Sequence, residues 1–281
     1  MNTKSETGLQ AIILAAGRGS RLNANQNNVT PKCLVDFDGQ TLLEYQLSAL
    51  KQVGIHQVCV VVGFGAEKVM DVADNQADFI FNDRWSETNS LYYACLCRHW
   101  VRGPVVVMNC DVLAPPEVFH RVATSPDSAF AFDSSSGTEA EHMKVELEDG
   151  YLKSMSKQIP KDRAMGENMG MLRFTADACE RLFNEGEALI QSGGLNMWMA
   201  AAVEKIARQV PIRGIDIAGL PWVEIDFPED LRIAREKIWP RICQTPALTY
   251  QGFVPKALLP SFEEEDLQEQ TEVRRFTSLP V

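Results

Sequence analysis

Short apolar runs alternate with amphipathic segments through the first half of the chain, the pattern of a largely parallel sheet with crossover helices. Four runs read as buried strands: Gln10–Ala15, Val58–Gly63, Asp78–Asn82 and Val105–Asn109. Between the first two, Leu43, Leu47 and Leu50 recur at helical spacing, Thr41 and Glu44 are spaced as a capping box, and Gly54 stands where a helix would stop. From about Asp127 to Phe174 the pattern changes to β segments, and Glu148-Asp149-Gly150 separates Val145–Leu147 from Tyr151–Met155 as a hairpin turn does. Helical spacing returns over Thr175–Gln191 and Leu195–Ala207, followed by a strand near Val210–Ile217 and a last helix over Glu229–Trp239. The expectation is an α/β fold with a mostly parallel sheet flanked by helices. A small β-rich insertion, about residues 127–210, would be built on that sheet.

Periodicity fades after Trp239, and the segment from Ser261 to Val281 is polar, with an acidic run at Glu263-Glu264-Glu265-Asp266. Residues 9–240 are therefore read as one domain, residues 1–8 as an N-terminal extension and 241–281 as a polar, acidic C-terminal extension. Composition leaves this picture standing: 45% hydrophobic and 23% charged residues suit a packed globular chain. The acidic balance changes it more. A net charge of −11 repels nucleic-acid backbones and anionic membranes, so neither is an expected partner, and an anionic ligand must be drawn by a local basic cluster or a metal. Seven cysteines without a C-x-x-C pair, several inside apolar runs, read as reduced core thiols in a cytoplasmic protein. The N-terminus has no signal-peptide shape, and no apolar stretch approaches the roughly 20 residues needed to span a bilayer.

Candidate chemistry starts just past the first strand, at Leu14-Ala15-Ala16-Gly17-Arg18-Gly19-Ser20-Arg21-Leu22. Glycines let backbone amides approach a phosphate, and Arg21 adds a rigid guanidinium fork. A dinucleotide fingerprint would need glycine where Leu22 stands, and the Gly-Lys-Ser/Thr of a P-loop is absent; a glycine turn with no ligand stays open. Thr30-Pro31-Lys32-Cys33-Leu34 follows with a second cation. Asp111 ends the strand Val105–Asn109 at the ligand-facing edge of such a sheet, as a metal ligand or a turn former. Asp226 precedes the last helix; Pro228 favours the first helical position, which would make Phe227 the cap and leave Asp226 one residue early.

The combined pattern, L-A-A-G-x-G-x-R-L followed about ten residues on by P-K-x-L, resembles the nucleotidyltransferases that activate sugar phosphates and small alcohol phosphates, with their Rossmann-like sheet. That resemblance implies that Arg21 and Lys32 contact a triphosphate and that Leu14 to Gly17 line the base and ribose, with Arg18, Gly19 and Ser20 completing the loop. It also implies that Asp111 and Asp226 hold Mg²⁺, the expected cofactor, whose preference for hard oxygen ligands suits carboxylates. Cys110 stands where that family often has glycine.

The segment Thr88-Asn89-Ser90-Leu91-Tyr92-Tyr93 looks like the T-N-x-x-S-L segment of a branch containing phosphocholine and 2-aminoethylphosphonate cytidylyltransferases, and the resemblance covers roughly residues 9–240. It implies CTP as the favoured nucleotide, a small phosphate or phosphonate as acceptor, Asn89 and Ser90 beside that acceptor, and Lys144 and Lys157 on its anion. Ser90 could instead cap the following helix, and both lysines could be exposed strand residues. Trp198 and Tyr92 offer a cation–π face worth about 0.5–2 kcal/mol to a quaternary ammonium, or belong to the core. After Leu195 the chain reads Asn196-Met197-Trp198 where that branch leads one to expect an acid. The absence leaves room for an uncharged phosphonate or phosphate alcohol, or for Glu167 or a loop carboxylate as a substitute. A sugar-1-phosphate nucleotidyltransferase and a non-catalytic nucleotide sensor are the competing expectations, and a homodimer is left open.

Overall fold

The computed structural model describes residues 8–22, 29–136 and 139–244; the acidic segment expected at 263–266 lies outside them. In chain order the strands are β1 (Gln10–Ala15), β2 (Asp36–Phe37), β3 (Gln40–Thr41), β4 (Gln57–Val62), β5 (Asp78–Phe81), β6 (Val105–Asn109) and β7 (Val112–Leu113). They continue with β8 (Ser128–Asp133), β9 (Lys144–Glu148), β10 (Tyr151–Ser156), β11 (Gly166–Phe174), β12 (Ile212–Asp216) and β13 (Val223–Glu224). The helices are α1 (Leu42–Gln52), α2 (Ala66–Ala73), α3 (Ser90–Leu96), α4 (Pro116–Ala123), α5 (Ala176–Gln191), α6 (Ala200–Ala207), α7 (Pro228–Ile233) and α8 (Trp239–Gln244).

Nine strands form one sheet in the order β5-β4-β1-β6-β11-β8-β12-β10-β9. Its first four strands run parallel, as the alternating sequence predicts. Beyond β6 the sheet is mixed: β11 is antiparallel to β6 and β8, β12 is parallel to β8, and β10 is antiparallel to β9 and β12. Local connections force part of this. The β9–β10 turn is only Asp149-Gly150, with φ of 53° and 82°, and so short a turn can only reverse the chain. β9 also pairs with the start of β11, which curls the far end of the sheet back on itself.

Alternation along β1 sorts the core into two layers. Ile12 and Leu14 pack with Leu91 and Tyr93 of α3, Leu182 of α5 and Val203 of α6. Ala11, Ile13 and Ala15 face α1, α2 and α4 through Leu47, Val69 and Phe119. Helix α1 begins as its sequence predicts: the Thr41 hydroxyl accepts from the Glu44 amide and the Glu44 carboxylate accepts from the Thr41 amide at 2.7 Å. A third cluster joins distant parts of the chain, since Trp239 of α8 packs on Phe37 and Tyr45 at ring-centroid distances of 5.4 Å each and donates to Asp38 at 2.7 Å.

Two helix expectations need correction. The predicted helix over 195–207 starts only at Ala200. The preceding residues instead lie across the start of α3, where the Leu195 and Met197 carbonyls accept from the Asn89 and Leu91 amides. The last helix over 229–239 is α7, a π-helical turn at Ala234–Ile238, and α8. Among the described residues no helix is long and apolar enough to cross a membrane.

Candidate active site

The sheet grows from β1 towards β4 and β5, then reverses to β6 on the other side of β1. A crevice opens at such a reversal, outside the carboxyl ends of the strands. The glycine loop leaves β1 at this point and Asp111 follows β6. Between them lies a cavity of about 360 Å³, bounded on one side by Gly17, Gly19, Arg21, Lys32, Asp111 and Asp226. On the other side stand Asn89, Ser90, Met155, Lys157, Trp198 and Met199.

Gly19 has φ 63°, and a Cβ there would come within 2.6 Å of the Lys32 side-chain stem. The glycine thus clears a channel for the lysine, which reaches two carboxylates. Lys32 Nζ donates to Asp111 Oδ2 at 3.1 Å and to Asp226 Oδ1, while Arg21 Nη2 donates to Asp226 Oδ2 at 2.7 Å. Burial alone would lower the lysine pKa; the two aspartates outweigh it and raise it well above the ordinary value, so the ammonium stays charged. Asp226 is not the cap of α7. Phe227 holds the cap position ahead of Pro228, and Asp230 accepts from the Asp226 and Phe227 amides at 3.0 and 2.7 Å, which leaves the Asp226 carboxylate free to face the cations. Asp111 sits in the turn after β6 with its Oδ1 buried and without a hydrogen-bond partner.

The opposite side rests on a buried polar brace. Asn82 donates to the Thr88 hydroxyl at 3.0 Å, and Tyr93 donates to the Thr88 carbonyl at 3.0 Å, fixing the approach to Asn89. Asn89, not Ser90, caps α3 by accepting from the Ser90 amide at 2.8 Å. The Ser90 hydroxyl accepts from the Met199 amide at 2.9 Å and so ties the Trp198 segment to α3. Lys157 Nζ lies 4.9 Å from the Trp198 ring centroid and 3.4 Å from Glu141 Oε2.

Several predicted residues stand elsewhere. Ala15 and Ala16 are buried beneath the loop, and Arg18 turns over the Phe64 ring at 5.7 Å. Tyr92 lies outside the cavity, against the Arg84 guanidinium at 5.9 Å. Lys144 is not an exposed strand residue: it is buried, does not line the cavity, and its Nζ donates to the Lys157 carbonyl at 2.6 Å. Glu167 is buried outside the cavity wall, accepting from the Ser136 hydroxyl and lying 3.3 Å from His142 Nδ1. Burial raises its carboxyl above the usual range, although the Ser136 hydroxyl works against this.

The structure adds residues that the sequence did not single out. Glu224 lines the cavity, and burial together with the carboxylates of Asp111 and Asp226 pushes its carboxyl up to about 8. Its signal was present: Glu224 and Asp226 are two apart on extended chain and so face the same side. Asn109, Asn168 and Glu141 also line the cavity, and Asn168 Oδ1 is buried without a partner. Gly170 has φ 85°, and a Cβ there would strike Asn109 Nδ2 at 2.5 Å, so β11 needs glycine where it crosses the cavity.

A doubly charged clamp beside a glycine loop at a sheet's reversal point defines a nucleotide-handling α/β domain. The chain belongs to the MobA-like NTP transferase domain family, whose model matches residues 11–206. It is 28% identical over 244 residues to the bifunctional IPC transferase and DIPP synthase of Rubrobacter xylanophilus, covering 84% of this chain and 53% of that protein. The chain thus spans about half the length of that relative. It is 23% identical to the CTP:phosphoglutamine cytidylyltransferase of Campylobacter jejuni, covering 82% of this chain and 100% of that one. The fold is similar to the solved CTP:phosphocholine cytidylyltransferase of Streptococcus pneumoniae, with a TM-score of 0.69, 24% identity, and coverage of 82% of this chain and 98% of that chain.

Proposed function

We propose that this chain is a Mg²⁺-dependent cytidylyltransferase that transfers CMP from CTP to a small phosphate or phosphonate ester and releases pyrophosphate. The observation that carries the reading is the Lys32 ammonium held between Asp111 and Asp226, beside the glycine loop on one side of the cavity. The choice of CTP is supported by the names of the Campylobacter and Streptococcus relatives.

An oxygen of the acceptor's phosphate or phosphonate attacks the α-phosphorus of CTP. A new P–O–P link forms as the bond from the α-phosphorus to the bridging oxygen breaks, and pyrophosphate leaves with its electron pair. The nucleophile is already ionised at neutral pH, so no side chain need remove a proton. Catalysis then consists of positioning and charge neutralisation. Gly17 to Ser20 present backbone amides to the triphosphate, and Arg21 and Lys32 meet its negative charge. Among the described residues no three His, Cys, Asp or Glu side chains form a ready metal cage. Mg²⁺ does not require one, since it commonly takes one or two carboxylates and completes its shell with water and phosphate oxygens. Asp111 and Asp226 would hold it, and the partnerless Asp111 Oδ1 fits that role. When bound, the ion supplies Lewis-acid neutralisation of the phosphate oxygens.

The test is to incubate the purified protein with each nucleoside triphosphate, Mg²⁺ and a panel of phosphocholine, 2-aminoethylphosphonate, 2-hydroxyethylphosphonate and sugar 1-phosphates, following pyrophosphate. Turnover with CTP and a small phosphate or phosphonate is expected. Turnover confined to UTP, dTTP or GTP with sugar 1-phosphates would replace this reading with the sugar-nucleotide one. Nucleotide binding without pyrophosphate release from any combination would favour a sensor.

A further inference from the structure

Cys110 and Asp111 turn the chain between β6 and β7, and the side chain of Gln46 grips the backbone on both sides of them. Its Nε2 donates to the Asn109 carbonyl at 3.1 Å, at the end of β6, and to the Val112 carbonyl at 2.8 Å, at the start of β7. We propose that Gln46 is a positioning residue for the metal: it braces the Cys110-Asp111 turn from the core side, so that the Asp111 carboxylate meets Mg²⁺ at a fixed place. That the turn carries a metal ligand rests on the cytidylyl-transfer reading above; the brace itself rests on the geometry.

Three features point this way. Gln46 is fully buried in α1, on a face it shares with Leu43, Leu47 and Leu50, where an apolar side chain would be the ordinary choice. Two carbonyls can be met only by the nitrogen of its amide, and the Oε1 is left buried without a partner, which costs stability. An apolar side chain would avoid that cost but could not hold the turn. The second feature is the lack of slack around Asp111. Its carbonyl accepts from the Ile225 amide at 2.8 Å, and β7 pairs with β13 through Val112 and Glu224. With Gln46 at both ends of the turn and Ile225 at its middle, Asp111 is fixed against the strand that leads into Asp226. Third, the Asp111 carboxylate lines the cavity with Oδ2 on Lys32 at 3.1 Å and Oδ1 without a partner. Mg²⁺ demands near-ideal octahedral geometry, so a shift of one ligand oxygen is felt at the ion.

The preceding residue supplies a contrast. The Tyr45 hydroxyl donates to the Ala114 carbonyl at 2.7 Å, on the same stretch of chain but past β7 and outside the turn.

The experiment is a titration of the full chain with Mn²⁺, followed by the electron paramagnetic resonance of the free ion, without nucleotide and with CTP against a CTP-only baseline. It compares the native protein, Asp111→Asn, Gln46→Met and Tyr45→Phe, and circular-dichroism melts record the fold and Tm of each. Gln46→Met should hold Mn²⁺ about tenfold more weakly than the native protein, the lower end for losing a group that orients a metal ligand. Tyr45→Phe should lower Tm and leave Mn²⁺ affinity in place. Where turnover is present, Gln46→Met should need about tenfold more Mg²⁺ for its half-maximal rate and regain the native kcat at saturating Mg²⁺. Gln46→Glu, of the same size, offers at most one hydrogen to the two carbonyls and is read in the same way if Gln46→Met does not fold. Native Mn²⁺ affinity in the Gln46 variant beside a loss in Asp111→Asn would overturn the brace and leave the metal reading standing. Equal losses in Gln46→Met and Tyr45→Phe would overturn it as a general loosening of the fold. Mn²⁺ binding that is absent from the native protein, or unchanged in Asp111→Asn, would remove the metal reading and the brace with it.

Discussion

On one side of the cavity Arg21, Lys32, Asp111 and Asp226 neutralise one another through direct ion pairs, although they come from loops up to 205 residues apart. On the other side, Met143, Met155 and Met199 supply an adaptable apolar surface, and Asn168 presents an oxygen with no partner. Apart from the partnerless Asp111 Oδ1, the first surface is engaged through its own ion pairs and suits one fixed task, the handling of a triphosphate. The second keeps unspent contacts, as befits a surface that must be completed by a ligand. Chemistry common to many transfer reactions can be built rigidly, whereas selection of an acceptor requires groups that are satisfied only when the right molecule is present.

The comparison can be broken most severely at Lys32. Lys32→Met should lower turnover roughly 10²–10³-fold while circular dichroism stays native, because a preorganised charge at the reacting phosphates is lost. Rates within a few-fold of the native enzyme would mean that the charged side is not the transfer machinery. Next in size, Trp239→Ala removes a buried ring that packs on Phe37 and Tyr45, and should cost about 3–5 kcal/mol in denaturant unfolding. If the charged side depends on that packing, Arg21–Asp226 geometry and activity should fail together at temperatures where the sheet still holds.

Gly170→Ala probes the acceptor side, where a positive φ and contact with Asn109 both exclude a methyl group. A loss of about 1–3 kcal/mol is expected from the denaturation midpoint, and an unchanged midpoint would show that β11 relaxes freely. The smallest effect belongs to Glu167→Gln. Because burial raises the folded-state pKa of Glu167, the stability linked to its proton is complete below the unfolded-state value of about 4.3 and is lost as pH rises through the folded-state value. The native protein should therefore show a decline in Tm across that window that Glu167→Gln lacks, giving the variant a modest advantage at neutral pH.

The same contrast explains what could be read from the sequence. The parallel strands, the capping box at Thr41 and the loop from Leu14 to Leu22 are local signals, each carried by neighbouring residues, and the structure places them where the pattern predicts. The mixed half of the sheet was legible only as β segments, because strand order depends on pairings such as β6 with β11 that no local pattern encodes. Lys144 and Lys157 look alike as strand-associated lysines, yet tertiary packing turns the first inwards as a brace and the second towards the cavity. Asn196 had suggested an acceptor without positive charge; it lies within 3.4 Å of Asn89, beside the same surface that carries Lys157.

Trp239 gives the molecule a sense of time as well as of shape. The segment holding Lys32 lies early in the chain, whereas the cluster that backs it is completed by α8, which covers Phe37, Asp38 and Tyr45. A growing chain therefore carries its glycine loop long before Asp226 is made to pair with Arg21 and Lys32. The last described helix thus belongs to the same packed cluster as Ile225, the chain neighbour of Asp226, which ties the end of the described chain to the charged side of the cavity.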